Sequence, residues 1–532
     1  MRRPVTFAFI TLAIIFGMSL GACTKKNSLD YGLKVEETLR INLQEEPPSL
    51  DWNKAVDTTS ALVTLNLMDG LVDYDLKDPE GALKPALAES WESSNNSQTW
   101  TFTLRKDVKW TDGKAFTPQQ VIDGWQRLLN PGTASQYAYF LFSVKNAQKY
   151  NSGALNDFSQ VGVSVNDQGQ LVVQLEKPQS YFPYLLTHHS TYPIRLDLVK
   201  KFGDRWTEPE NIQTLGAYKL KIWDHDKAMV LERNDGYYGE KAKIKYVYGY
   251  MINEYSTAMG MFDSGKLDFQ QSVPANELSV LKGKPTFRQA PVLGTYYYGF
   301  NTKRAPFNDV RVRKAFVYAV DRSQITKIVG GDVTPLSAWI PKGMFGYEEG
   351  VGLQYDVEKA KKLLKDAGYT DISKFPRVTI GFNSNEDHQR IAENFQAQIK
   401  KNLGISLEIQ SEEWKVYLSH LQTDTPSIYR LGWLADYPDP DNFMNLMTSY
   451  SENNHTGWKN KKYDQLIEKG ASIADKEQRR HIYEQAQRLL TEEDAPVDPL
   501  YSMVSHFLVS ERVKDFPVNS LARYPFKGVS LQ

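Results

Sequence analysis

The sequence predicts an α/β protein with several sheets and more than one domain. Segments that alternate apolar and polar residues, as strands do, recur between segments with the spacing of amphipathic helices. The chain has 532 residues, which exceeds the usual limit of a single hydrophobic core. No tandem repeat or low-complexity block interrupts the alternation. We therefore expect two or three domains that each combine helices with strands.

Residues 1–22 have the parts of a secretory signal peptide. Arg2 and Arg3 precede an apolar run, from residue 5 to residue 20, that is too short to span a membrane. The run ends in Leu20-Gly21-Ala22-Cys23, which fits ordinary cleavage poorly because the −3 position holds leucine rather than a small residue. It resembles instead the lipobox of bacterial lipoproteins, in which Cys23 becomes the lipidated first residue. The alternative is a plain signal peptide followed by a chance cysteine.

Cys23 is the only cysteine of the chain. An exported protein could carry disulfides, but this one has no second thiol to form one. Lipid chemistry therefore explains the cysteine better than folding does, and a triacyl anchor exceeds the two signals that stable attachment needs. Residues 23–37 are polar and are predicted to be the lipidated N-terminus and a flexible tether. We expect a periplasmic or cell-surface lipoprotein that is membrane-anchored through Cys23.

Strand patterns follow the tether, and clear helix patterns come later in the chain. The alternating triplets are Leu39, Ile41 and Leu43; Trp100, Phe102 and Leu104; and Leu171, Val173 and Leu175. Asp356 is predicted to cap a helix that ends at Gly368, and residues 476–493 repeat the same helical spacing.

Composition and missing motifs argue against several function classes. The formal net charge of −1 gives no reason to expect nucleic-acid binding. The sequence has no Gly-x-Ser-x-Gly elbow, no His-Glu-x-x-His pair and no phosphate-binding glycine-rich loop. His188 and His189 lack the spacing of a zinc pair, and the prolines around Asp439 and Asp441 favour a turn over a calcium loop. We predict a non-enzyme without cofactor or metal; a hydrolase whose catalytic groups meet only in space stays an alternative.

The segment that begins at Arg430 carries the strongest functional signal. Asp436 follows Arg430 inside an apolar run, with Trp433 between them. Lone charges in such surroundings are costly unless a partner arrives. A free peptide is such a partner, because its ammonium complements Asp436 and its carboxylate complements Arg430. The alternatives are a turn cap for Asp436, which precedes prolines, and a surface position for Arg430.

Several segments taken together resemble the oligopeptide-binding proteins that serve bacterial ABC importers. They are Leu87-Ala88-Glu89-Ser90-Trp91, Trp100 to Lys106, Trp110-Thr111-Asp112-Gly113, Pro306 to Ala315 with Asp321-Arg322, Trp414-Lys415, and Gly432 to Tyr437. The resemblance runs in order through roughly residues 38–510. It implies a three-domain, type-II periplasmic-binding fold whose two lobes close over an extended peptide.

The resemblance also implies how the chain is divided. Domain I would be discontinuous, and would be formed by residues 38–68, 198–293 and 505–532. Domain II would comprise residues 69–197, and domain III residues 294–504. Closure would be a hinge motion at the few segments that cross between the lobes.

Ligand contacts follow from the resemblance one residue at a time. Asp436 falls on the family's aspartate that binds the peptide ammonium. Arg430 and His388 fall on basic positions that meet ligand carboxylates, although a solvated loop is the alternative for His388. Aromatic pocket walls are expected at Trp433, Trp414, Tyr137 and Tyr297, for which core packing is the alternative.

The chain also departs from the family's pattern. Two cysteines that members can pair near the cleft fall on Gly294 and Leu434, and a further basic position falls on Leu421. A family glutamate falls near Val56, beside Asp57. The end of the site that meets the ligand carboxylate therefore has fewer charged residues than in the family's pattern, which leaves the preferred peptide length open.

The resemblance implies a lipoprotein that captures short peptides outside the cytoplasm and delivers them to an ABC transporter permease. We expect a monomer whose partners are peptides, the permease and the membrane, but no nucleic acid. Two alternatives stay open. One is a murein-peptide or dipeptide binder, and the other is a peptide-sensing or chaperone-like receptor that is not coupled to transport.

Overall fold

The computed structural model describes residues 28–76, 78, 81–473 and 475–532. The predicted signal peptide and the lipidation at Cys23 therefore lie outside the described residues. Within the described ranges, no helix is both long enough and apolar enough to cross a membrane.

Helices and strands alternate along the described chain. The strands are β1 (Thr38–Asn42), β2 (Val72–Tyr74), β3 (Leu83–Pro85), β4 (Ala88–Ser94), β5 (Thr99–Leu104), β6 (Val163–Val165), β7 (Leu171–Gln174), β8 (Tyr218–Asp224), β9 (Ala228–Arg233), β10 (Tyr246–Tyr250), β11 (Phe269–Gln270), β12 (Phe287–Phe300), β13 (Thr334–Pro335), β14 (Thr379–Asn383), β15 (Glu408–Glu412), β16 (Ile428–Leu434), β17 (Val497–Val509), β18 (Val513–Lys514) and β19 (Ser530–Leu531). The α-helices are α1 (Thr58–Leu67), α2 (Pro118–Leu129), α3 (Ala147–Asn151), α4 (Phe182–Leu185), α5 (Leu196–Phe202), α6 (Tyr255–Asp263), α7 (Leu278–Leu281), α8 (Val310–Tyr318), α9 (Arg322–Val329), α10 (Val357–Asp366), α11 (Glu386–Leu403), α12 (Trp414–Thr423), α13 (Asp441–Leu446), α14 (Lys461–Ser472) and α15 (Lys476–Arg488).

One long mixed sheet joins most of the strands. Its order is β15-β14-β16-β12-β17-β11-β1-β10-β9-β8, with β13 paired to β17 beside this path. The strands at one end belong to the predicted domain I, and those at the other end belong to the predicted domain III. The neighbouring strands β12 and β17 pass from one part to the other, and their antiparallel register shifts between Pro291 and Thr295. A register shift of this kind locally bends and twists a strand pair.

A second sheet of four strands, in the order β4-β5-β7-β6, stands apart from the long sheet. All its neighbours are antiparallel. These strands fall within the predicted domain II. Phe102 of β5 and Leu171 of β7 are fully buried, as the alternating patterns predict.

The structure confirms the α/β prediction and several local patterns. Leu39 and Ile41 are buried in β1. Asp356 caps α10, because its side chain accepts a hydrogen bond from the Lys359 amide (3.0 Å). The helical spacing predicted over residues 476–493 forms α15, which continues into a π-helical turn at Leu489–Asp494.

The residues just before β1 differ from the prediction. Residues 23–37 are predicted to include a flexible tether, but Leu33 is only 3% exposed. It packs with Ala228, Val230 and Tyr248 on the long sheet. Burial of an apolar side chain stabilises that packing, so the folded part of the chain begins before residue 38.

Candidate functional site

Two adjoining cavities of about 250 and 260 Å³ form a cleft beside β16. One wall of the first cavity includes Tyr137 and His188, from the predicted domain II, and the facing wall includes Trp433 and Asp436. The residues that border both cavities are Thr58, Gln271, Trp414, Arg430, Leu434, Met503 and Ala522. The cleft therefore lies between parts of the chain that the resemblance assigns to opposite lobes.

Asp436 lies just beyond the end of β16, and its side chain is 15% exposed. The Asn442 side-chain amide donates to Asp436 Oδ2 (3.0 Å), and the Asp436 backbone amide donates to Asn442 Oδ1 (3.1 Å). Burial raises the pKa of Asp436 to about 7, against the opposing effects of the Asn442 hydrogen bond and the Arg523 charge. The turn-capping role belongs to Asp439, which accepts from the Asp441 amide (2.9 Å). Asp436 is thus held in place without being used by the turn.

His188 is the neighbour of Asp436 that sequence reasoning missed. Its Nε2 lies 3.4 Å from Asp436 Oδ1. The Ser190 amide donates to His188 Nδ1 (3.3 Å), which places the imidazole proton on Nε2, toward Asp436. Burial, followed by His189 and Arg523, holds the pKa of His188 well below its ordinary value. His188 is therefore neutral and forms no ion pair with an ionised Asp436.

Arg430 lies in β16 and borders both cavities. Its Nη1 donates to Asn383 Oδ1 (3.1 Å), and its guanidinium lies 4.6 Å from the centre of the Tyr296 ring. Burial opposes its charge, but Tyr296 and Tyr501 outweigh that effect and raise the pKa of Arg430. Its buried Nε has no hydrogen-bond partner among the residues that the structure describes. Arg430 is therefore a buried cation with an unsatisfied hydrogen-bond donor, not a surface arginine.

His388 lies in the first turn of α11 rather than in a solvated loop. It borders the second cavity, and its Nδ1 is 3.3 Å from the Tyr296 hydroxyl. Burial, followed by the charge of Arg430, lowers the pKa of His388 well below its ordinary value. The imidazole is therefore neutral, and an incoming carboxylate would meet a hydrogen-bonding group beside the charged Arg430.

Three of the four predicted aromatic residues line the cleft. Tyr137 and Trp433 lie on opposite walls, with ring centroids 6.2 Å apart. Trp414 borders both cavities. The indole N–H of Trp433 donates to Asn442 Oδ1 (2.8 Å), so one asparagine orients both this ring and Asp436.

The structure does not place Tyr297 in the cleft wall. Its side chain is fully buried and packs against Trp339, with ring centroids 4.9 Å apart. The preceding residue, Tyr296, borders the second cavity instead. Successive side chains of a strand point to opposite faces, so the prediction was wrong by one position in β12.

A carboxylate group of the second cavity was not predicted. Burial, followed by the charges of Glu413 and Asp57, raises the pKa of Glu45 to about 7, and Arg430 acts in the opposite direction. Asp57 caps α1 by accepting from the amides of Thr59 (3.0 Å) and Ser60 (2.9 Å). Acidic groups and Arg430 therefore share this end of the cleft.

Two departures from the family's pattern are neighbours in space. Gly294 of β12 and Leu434 of β16 are directly paired across the sheet. A Cβ atom at Gly294 would lie 2.7 Å from Leu434 Cδ2, which is closer than packed carbon atoms approach. The glycine therefore makes room for the leucine side chain that borders the cleft.

Comparison with known proteins identifies the family. The family model for bacterial extracellular solute-binding proteins, family 5 (middle), matches residues 82–455. The chain belongs to this family. It is 36% identical over 492 residues to the periplasmic oligopeptide-binding protein OppA of Salmonella typhimurium. This alignment covers 89% of this chain and 88% of the relative.

Solved structures agree with this assignment. The crystal structure of Haemophilus influenzae OppA in complex with RPPGFSPFR matches with a TM-score of 0.88 and 31% identity, covering 94% of this chain and 99% of that chain. The Escherichia coli murein tripeptide-binding protein MppA also matches with a TM-score of 0.88 and 31% identity, covering 94% of this chain and 99% of that chain. MppA in an unliganded open form matches with a TM-score of only 0.63 at 32% identity, covering 94% of this chain and 98% of that chain. The present structure therefore differs from that open form in the arrangement of its parts.

Proposed function

We propose that this family 5 solute-binding protein captures short peptides outside the cytoplasm and delivers them to an ABC importer. The observation that carries the proposal is the pair of charged groups in one cleft. Asp436 and Arg430 are both largely enclosed, and among the described residues neither forms an ion pair with a permanently charged group. A zwitterionic peptide supplies the missing charges, and hydrogen bonds to ionised groups are roughly twice as strong as neutral ones.

The spacing of these two groups sets a scale for the ligand. Arg430 lies in β16, and Asp436 lies two positions beyond the end of that strand, in a bend. At about 3.3 Å per residue, the distance between their Cα atoms is at most roughly 20 Å. The long arginine side chain shortens the gap, so an extended peptide of about three to five residues fits between the two charges.

Side-chain selectivity in this cleft should be broad. An extended ligand pairs with strands through main-chain groups, which are the same for every peptide. The aromatic rings of Tyr137, Trp433 and Trp414 offer apolar walls without fixed hydrogen-bond demands toward a ligand. Bridging water then adapts the cavities to different side chains at small cost.

Capture requires the cleft to open, and the crossing strands offer a place for that motion. β12 and β17 pass between the predicted domains I and III, and their register shift at Pro291 and Thr295 adjoins the predicted boundary at residues 293 and 294. The difference in TM-score between the two MppA structures supports a large rearrangement of such lobes within this family. We place the hinge of this protein at that register shift.

The protein is further proposed to be a monomeric lipoprotein held at the membrane through Cys23. The Leu20-Gly21-Ala22-Cys23 sequence and the absence of another cysteine support the anchor. It would keep the loaded protein close to its permease. A murein peptide is a second candidate ligand, which the similarity to MppA favours.

The test combines ligand discovery with direct binding. Mass spectrometry of protein purified from its native host should recover peptides with a free ammonium terminus, intact after prolonged incubation. Calorimetry with di- to pentapeptides should then give saturable binding, and solution scattering should show a smaller radius in the peptide-bound protein. Absence of binding across the series would contradict the proposal, and peptide cleavage that tracks the purified protein would favour the hydrolase alternative.

A further inference from the structure

A third cavity, of about 400 Å³, lies outside the peptide cleft. One wall comes from residues 139–185 of the predicted domain II, and the other from residues 437–472 of the predicted domain III. The Phe140 ring packs against His188 (4.8 Å) on the cleft side and against Tyr437 (5.7 Å), so Phe140 and His188 lie between this cavity and Asp436. We name this space the lateral cavity.

Six aromatic residues contribute to the lining of the lateral cavity. They are Tyr139, Phe140, Phe142, Tyr181, Tyr437 and Tyr450. Aromatic faces carry partial negative charge and attract cations, most strongly where water is excluded. Tyr139, Phe140, Tyr181 and Tyr437 are each less than 10% exposed, so this wall is well shielded.

A buried carboxylate completes the lining. Asp441 is 3% exposed, and its Oδ2 accepts from the Tyr437 hydroxyl (2.9 Å). The nearby Arg479 is already engaged, because both of its Nη atoms bind Asp439 (2.6 and 2.5 Å). In the described part of the chain, Asp441 forms no ion pair of its own. Burial, followed by the charge of Asp439, raises the pKa of Asp441 to about 6, against the opposing effect of the Arg479 charge.

Further polar groups of the lining lack a hydrogen bond of good geometry. Tyr139 Oη, Tyr181 Oη and Gln179 Oε1 are buried and have no hydrogen-bond partner among the described residues. Oxygen atoms of this kind can accept hydrogen bonds from a bound molecule. Leaving buried polar atoms unpaired costs free energy, so their presence around one cavity points to a ligand.

We propose that the lateral cavity is a second binding site, for a compact organic cation of the substituted-ammonium class. Arg479 already lies 5.0 Å from the centre of the Tyr181 ring, so the other rings supply faces for the cation. Asp441 supplies the opposite charge, and the free oxygens accept any N–H or O–H groups. An anion is disfavoured, since Arg479 is neutralised by Asp439 and the lysines of the lining are exposed. A volume of about 400 Å³ lies within the range of small-molecule sites.

The position of the lateral cavity couples it to the lobes. At its rim, Lys177 of one wall and Glu468 of the other form an exposed ion pair (3.6 Å). A cation that touches both walls prefers the arrangement in which the walls are close together. Binding in the lateral cavity should therefore favour the closed form and should not compete with a peptide.

The experiment uses choline as the cation and 3,3-dimethylbutanol, which has the same shape without the charge, as the neutral control. Saturation-transfer NMR and calorimetry on the full protein measure both. Choline should bind at least about tenfold more tightly than the alcohol. Asp441→Asn should weaken the binding of choline by about tenfold or more. Tyr450→Leu, a second variant in the lining, should weaken choline binding by about threefold.

Asp436→Asn is the matched control, because Asp436 is a second enclosed carboxylate five positions earlier but borders only the peptide cleft. It removes no group of the lateral cavity and should not weaken choline binding, so the test does not depend on the proposed peptide function. Thermal unfolding of each variant confirms that it is folded. Equal affinity for choline and the alcohol, no effect of Asp441→Asn, or a loss caused by Asp436→Asn would each overturn the second site.

Discussion

The charge of Asp436 should decide which peptide termini the cleft accepts. Enclosure moves the pKa of this carboxyl from 3.8 to about 7. Each pKa unit corresponds to about 1.4 kcal/mol, so enclosing the ionised group without a cation costs about 4 kcal/mol. The ammonium of a free peptide removes this cost. Asp436→Asn keeps the shape and the contact with Asn442 but loses the ion pair, and it should weaken free peptides by about 2–5 kcal/mol.

The same substitution should act differently on N-acetylated peptides. These ligands bring no ammonium, so wild-type protein must enclose Asp436 either unpaired or protonated. Asp436→Asn removes that cost and should leave the affinity for acetylated peptides unchanged or raise it. Calorimetry on matched free and acetylated tri- and tetrapeptides measures both effects, with Asp441→Asn as a control expected to change the two series alike. Equal losses for free and acetylated peptides with Asp436→Asn would refute the ammonium contact.

Four further predictions follow from the same geometry. Because the pKa of the enclosed Asp436 is raised, acidification from pH 8 to pH 5 removes most of the cost of enclosing it. Acetylated peptides should therefore bind about 2–3 kcal/mol more tightly at pH 5, an effect that calorimetry should find missing in Asp436→Asn. Arg430→Ala should weaken those peptides whose carboxylate reaches the guanidinium by about 2–5 kcal/mol and change other lengths less, which a di- to pentapeptide series tests. Peptide binding should change the fluorescence of Trp414 and Trp433 and reduce the radius from solution scattering; an unchanged radius at saturation would contradict closure. Cys23→Ser should release the protein from membrane fractions, and retention after salt washing would exclude the lipid anchor.

Much of the fold was predictable because its signals are local. The alternation at Leu39 and Ile41 and the cap at Asp356 depend on neighbours in sequence, and the structure confirms them. The pairing of β12 with β17 joins segments about 200 positions apart, which no local pattern reveals. Leu33 illustrates the opposite error, since its polar surroundings in sequence hid one apolar contact with the sheet.

The site shows the same division. Asp436 and Arg430 could be predicted because both belong to one short segment. His188 could not be connected with Asp436, since their approach to 3.4 Å depends on how two lobes meet. The choice between Tyr296 and Tyr297 required the register of β12, because a run of three tyrosines has no alternation that marks the cleft face.

The enclosed, uncompensated Asp436 has a consequence for the whole transport cycle. At neutral pH, shutting the lobes without cargo would require Asp436 either to stay ionised in a poorly hydrated place or to take up a proton. Both cost free energy, and the neutral His188 cannot balance the charge. The empty protein should therefore rest open, and the shut state should report faithfully that a positively charged terminus has been loaded. An importer that binds only the shut state would therefore avoid transport cycles in which no peptide is carried.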